Sequence, residues 1–232
     1  QSELTTWSLD EDRIRETGLK ILALSVDGLA LSQHTGPADA ERFLASIGFP
    51  YATGSASAEL LDKLEILQQE LFDFYFPLAV PTTFLLNEEG LLSTIYRGPV
   101  DVDTLLIDAK QLSAPYEERV ALSLPFPGRW AYKTQYALTD FAEKFHTSFP
   151  EEEIRYLQFG MRSLEKELER DTLSDQLREF KEASLRKDQQ KLIHALARTG
   201  KLEEAEKQCT TELKRSSNSS AYAWLLVEIL FR

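Results

Sequence analysis

The sequence predicts an open α/β domain followed by an all-helical one, and three features predict it. Leu19, Ile21, Leu22, Ala23, Leu24 and Val26 form a nearly continuous apolar run, the pattern of a strand covered on both faces in a parallel sheet. Val80-Pro81-Thr82-Thr83-Phe84-Leu85-Leu86, the turn Asn87-Glu88-Glu89-Gly90 and the segment Leu91 to Arg97 read as a hairpin entered through a proline. Proline is tolerated in a sheet chiefly at a strand's first residue, and an X-Pro bond in such a place is a candidate for the cis form. From Gln135 to Arg232, charged residues interleave with Leu, Phe and Ile without a strand-like run, so helix pairs are the expected content.

Taken in order, Leu4, Trp7 and Ile14 lie at helical spacing before Gly18, which predicts a first helix over Ser2 to Thr17. The apolar strand follows and ends at Asp27-Gly28. Beyond Gly36-Pro37, the residues Ala40, Phe43, Leu44 and Ile47 recur on one helix face, and Gly48 is a natural stop. An extended piece around Phe49 to Thr53 leads to a longer helix carrying Leu60, Leu61, Leu64, Leu67 and Leu71, which feeds the Pro81 hairpin. Asp101 is placed to cap a helix whose apolar face is Val102, Leu105, Leu106, Ala109 and Leu112, because a short carboxylate accepts bonds from the unpaired amides of the first turn. Strand, helix, short strand, helix, hairpin, helix is the order of an open sheet with a parallel part and an antiparallel edge. Pro115, Pro125, Pro127 and Gly128 interrupt both periodicities, so the domains are expected at 1–112 and 135–232 with a linker over 113–134.

The composition narrows the function. The chain has 232 residues and 43% apolar content, enough for one ordinary domain and a smaller unit. A net charge of −12 argues against a general nucleic-acid binder or an anionic-membrane binder, since both need a basic face. A single cysteine, Cys209, excludes an internal disulfide framework and a zinc cage of several thiolates. No apolar run approaches a membrane span. Gln1 stands where an initiator methionine would be, so an excised piece of a longer protein is expected.

Val80-Pro81-Thr82-Thr83-Phe84-Leu85 resembles the substrate-binding hairpin of thioredoxin-like proteins, in particular the redoxin and TlpA-like branch, and the resemblance covers about Gln1 to Leu112. It implies an α/β thioredoxin-like domain related to thiol-disulfide oxidoreductases. The residue before the proline, here Val80, would pair its backbone with a substrate peptide, so Val80 and Pro81 are the implied substrate-binding residues. Members that do redox chemistry open their first helix with Cys-x-x-Cys, where the helix N-terminus stabilises a thiolate. Gln1-Ser2-Glu3-Leu4 is similar to the wording that follows that dithiol in TlpA-like sequences, which places the dithiol ahead of this chain together with the central strand preceding it. Strands on either side of that position would carry unpaired edges. Upstream residues, strand exchange with a neighbouring molecule in an oligomer, or a strand from the helical tail are expected to fill the gap, or else the sheet is distorted.

In the tail, Leu192, Leu196, Gly200 and Ala205, with Gly200-Lys201-Leu202-Glu203-Glu204-Ala205 as an inter-helix turn, resemble a tetratricopeptide repeat. Ala221-Tyr222-Ala223-Trp224 is similar to the opening of a next repeat, and a degenerate copy runs from Leu138 through Phe149-Pro150-Glu151 to Leu157. Ile193 departs from the pattern by occupying a usually small position. A lone repeat cannot bury its own apolar face, so the helix ending in Leu225 to Phe231 is expected to lean on neighbours or on sequence beyond Arg232.

Few other residues suggest chemistry. His34, His146 and His194 show no ligand spacing, so no metal and no cofactor is expected. Cys209 stands at a core position of the repeat and reads as a small hydrophobe. Ser25 lacks the glycines of a nucleophile elbow. Asp10-Glu11-Asp12 and Glu151-Glu152-Glu153 read as solvated or first-turn charges, and Asn218-Ser219-Ser220 matches a glycosylation acceptor too common to use. No catalytic residue is assigned. Two functions remain open: the substrate side of an oxidoreductase whose cysteines lie outside this chain, or a redox-inert module that binds protein or peptide partners. Fusion of a redoxin-like domain to helical repeats resembles segments of large secreted bacterial proteins, which implies an exported or periplasmic location.

Overall fold

The computed structural model describes residues 2–29, 36–72, 77–88, 90, 92–112, 129–131, 138–169, 173–215 and 219–231. The chain divides into two compact units, Gln1–Gln135 and Tyr136–Arg232.

The first unit opens with α1 (Ser2–Leu9) and α2 (Glu11–Glu16), where the sequence predicts a single helix. Asp10 separates them at φ −98° and ψ 21°. The hydroxyls of Thr6 and Ser8 donate to the carbonyls of Ser2 and Leu4 at 3.1 and 3.0 Å, a back-bonding that bends helices. Strand β1 (Leu22–Ser25), helix α3 (Pro37–Ser46), strand β2 (Ala52–Ser55) and helix α4 (Ala58–Phe72) follow. β1 and β2 pair in parallel, Leu22 opposite Ala52 through Ser25 opposite Ser55. Helix α3 starts on Pro37 and ends in a Schellman turn, with Gly48 at φ +60° and its N–H on Ala45 O while the Phe49 N–H reaches Leu44 O. The hairpin is β3 (Thr82–Leu86) against β4 (Leu92–Arg97), antiparallel, with a register shift at Leu85/Leu86. Then comes α5 (Val102–Lys110), capped by Asp101.

One finding departs from the expected sheet, and a second bears on the gap expected in it. The stretch 113–134, read as a linker, contains β5 (Arg129–Ala131), which pairs antiparallel with β4, so the first unit runs on to Gln135. The strands also form two separate sheets, β1-β2 and β3-β4-β5. Among the described residues, β1 and β3 each pair along one edge only.

The core is correspondingly one-sided. Trp7, Ile14, Leu85, Tyr96, Val100, Val102, Leu105 and Leu106 form a buried cluster joining α1, α2 and α5 to the hairpin. On the other side, β1 alternates between exposed and half-buried instead of being covered on both faces; Leu22 is 61% and Leu24 41% exposed. No residue of α3 is fully buried.

The second unit is helical throughout its described residues: α6 (Leu138–Phe145), α7 (Pro150–Leu168), α8 (Asp175–Arg198), α9 (Leu202–Arg215) and α10 (Ser219–Leu230). Its core contains Ala142, Ile154, Leu157, Leu192, Ile193, Leu196, Ala205, Cys209, Tyr222, Leu225 and Ile229. The α8–α9 turn is a Schellman motif, Gly200 N–H to Ala197 O and Lys201 N–H to Leu196 O, with Gly200 at φ +79°. Fully buried Ala205 stands one turn into α9, where a small side chain permits close approach. Glu153 of α7 is buried but not stranded: it pairs with Arg198 of α8, and its Oε1 lies 3.3 Å from Nδ1 of His146.

Helices α6 and α7 touch through Gly160, where an added Cβ would lie 2.8 Å from Cγ2 of Thr139 and 3.2 Å from its N. Helix propensity alone would favour alanine by about 1 kcal/mol, but overpacking reverses the sign. Gly160→Ala is expected to lower stability to urea by about 1 to 3 kcal/mol, with partial recovery when Thr139→Ser removes the methyl.

Asp101 accepts from the Thr104 N–H and from the Thr104 hydroxyl, both at 2.8 Å. Asp101→Ala should cost about 1 kcal/mol in urea unfolding at neutral pH. The Thr104 N–H bond holds the carboxyl below its ordinary value. A depressed carboxylate stabilises the fold above its unfolded-state pKa of about 4 and loses that contribution as pH falls through the folded value. The gap between the native chain and Asp101→Ala should therefore narrow in acid.

Candidate functional site

The site is built at the base of the hairpin. The Val80–Pro81 peptide bond is cis, and the next residue, Thr82, begins β3 and donates its hydroxyl to Ala79 O at 2.5 Å. Pro81 O accepts the N–H of Gly98 at 2.9 Å, with Gly98 at φ +99° just beyond β4. Glycine suits that conformation because it has no Cβ to clash. Two residues further on, Val100 is held by α1 through both of its backbone polar groups. Its N–H donates to Oε1 of Glu3 at 2.8 Å, and its carbonyl accepts the indole N–H of Trp7 at 3.3 Å. Pro81, Gly98, Val100 and Glu3 thus form a connected series that brings the head of α1 to the same end of the hairpin as the Pro81 bend.

Electrostatically the place is quiet. Burial pushes the Glu3 carboxyl up, and the bond from the Val100 N–H acts against it. That carboxylate is committed to the backbone, so it positions α1 and is not poised as a general base. Val80 is 69% exposed at the foot of β3, whose outer edge pairs with no strand among the described residues. Main-chain groups along such an edge can pair with an extended peptide. The chain's one cysteine, Cys209, is not in the first unit.

Comparisons with protein-family models, curated proteins and solved structures find no match.

The other sequence candidates scatter. Cys209 lies in the second unit, fully buried, its Sγ donating to Tyr222 O at 3.0 Å, and burial pushes the thiol pKa up. His146 meets Glu153 and His194 is exposed on α8; His34 lies outside the described residues. No group of metal-ligating side chains occurs among the described residues, and no described helix is long and apolar enough to cross a membrane. Ser25 donates to Asp27 at 2.8 Å at the end of β1. In the two acidic runs, Asp10 pairs with Arg13, Glu11 with Arg15, Glu151 with Lys201 and Glu152 with Arg155. Asn218 lies outside the described residues. A shallow cleft beside Leu44, Phe49 and Tyr51 also has Glu41 and Thr53 in its lining.

Sequence reasoning missed the Glu3 and Trp7 contacts to Val100, which span more than ninety positions and leave no local mark. It also missed β5, although Trp130 and Tyr132 beyond Pro127-Gly128 are strand-favouring residues after a turn signal.

A thiol held this way should be inert in the native state. Ellman's reagent is expected to react with the chain stoichiometrically in denaturant and orders of magnitude more slowly without it. Equal rates would place Cys209 at the surface.

Proposed function

We propose that this chain is the substrate side of a thioredoxin-like protein, binding extended peptide segments at Val80, Pro81 and the outer edge of β3, and performing no thiol-disulfide exchange by itself. The observation that carries the reading is the series from Pro81 through Gly98 and Val100 to Glu3. It sets the start of a helix beside the proline bend, the two parts between which a thioredoxin-like site is formed. The chain's one cysteine is buried in the other unit, so any dithiol would have to come from outside these residues. The reading carries with it a tetratricopeptide-like role for the second unit and an exported location.

A second reading has its own support. The first unit's open strand edges would also suit a redox-inert module whose partner contributes a strand, since main-chain pairing gives affinity whatever the chemistry. In both readings the peptide enters at Val80.

A fluorescein-labelled peptide of alternating Val and Thr, followed by anisotropy, tests this. Saturable binding is expected, with Val80→Asp weakening it at least about tenfold, or roughly 1.4 kcal/mol, and Phe180→Glu in the second unit leaving it unchanged. No saturation, or equal binding by Val80→Asp, defeats the proposal. An insulin-reduction assay separates the readings once cysteines are supplied: a longer chain carrying Cys-x-x-Cys ahead of α1 reduces insulin under the first reading and not under the second.

A further inference from the structure

Helix α10 carries apolar residues on opposite sides. Tyr222, Leu225 and Ile229 are buried in the core of the second unit. At 3.6 residues per turn, Trp224, Val227 and Phe231 fall on the opposite face, where they are 76%, 45% and 88% exposed. Leu230 beside them is also exposed. Within Ser219–Leu230 the only charged residue is Glu228. A helix of this kind is normally buried all round, and a contiguous exposed apolar patch marks an interaction surface.

We propose that this face is a twofold interface between copies of this chain, α10 packing antiparallel on α10. Three arguments select a second copy. The chain carries a net charge of −12, so two copies repel through most of their surface, and a face with one carboxylate is where that repulsion is weakest. The patch is self-complementary, as a twofold contact requires. With the axis passing between Val227 and Glu228, Trp224 of each copy meets Phe231 of the other, two turns away, while the Val227 side chains approach each other. The area is also sufficient. Aromatic side chains bury roughly 150 to 250 Å² each, so the two rings with Val227 and Leu230 let a pair of copies cover on the order of 1,000 Å², the size a specific interface must clear. The interface is independent of Val80 and Pro81, which lie in the first unit.

Light scattering on the full chain over the micromolar to submillimolar range tests the proposal. Twice the chain mass is expected at the upper end. Trp224→Ala should raise the dissociation constant at least about 30-fold, the effect of a central aromatic anchor. Trp224→Glu combined with Phe231→Glu should give a monomer with an unchanged far-ultraviolet spectrum, because neither side chain is part of the core. Phe180→Glu, an exposed aromatic on α8, should leave the dimer intact. A native chain that stays monomeric throughout, whatever else then covers α10, overturns the proposal. So does a dimer that survives the double glutamate variant or the loss of Trp224, or one that Phe180→Glu disrupts equally.

Discussion

Every amide and carbonyl of a strand needs a partner, and the first unit satisfies this need unevenly. The hairpin side is settled at its centre: β4 lies between β3 and β5 and its side chains Ile95 and Tyr96 are buried, while β3 keeps an unpaired outer edge among the described residues. The β1–β2 side is not, because each of those strands has one paired edge among the described residues. On that side Leu22 and Leu24 are exposed and no residue of α3 is fully buried. Helices bury their apolar stripe by lying on a sheet. A two-stranded parallel sheet is too narrow to cover them.

Much of the local structure was readable because it is set by nearby residues. Gly48 and Gly200 end helices at positive φ, and Asp101 caps α5 with the bond its position suggested. Cys209 is fully buried, as a small apolar side chain would be. Errors arose where the decisive partner is distant. The run from Leu19 to Val26 has the composition of a strand with two covered faces, but coverage depends on neighbours that β1 does not have among the described residues. The prolines between 113 and 128 suggested a linker, while the three-residue strand after them is specified by the open edge of β4. Of the candidate site, the sequence foreshadowed the cis bond at Val80–Pro81. The site's link to α1 depends on Glu3 and Trp7 meeting a backbone group at Val100, which no spacing rule anticipates.

The two units are held together by different means. In the second, apolar packing is reinforced by the buried carboxylate of Glu153 on α7, which meets the more exposed Arg198 of α8 and the ring of His146 just after α6. Removing Arg198 would leave the buried Glu153 carboxylate without its ion-pair partner, which is costly. In the first unit, cohesion rests on the core around Trp7 and Tyr96 and on the polar pins at Val100.

The one-sided core also turns sheet geometry into a form of linkage. Any extended segment that pairs with β1 or β3 in the folded unit, and not in the unfolded chain, stabilises the fold by an amount that grows with the logarithm of its concentration. The looser half is thereby a thermodynamic gauge of its occupant, its melting temperature rising and falling with supply.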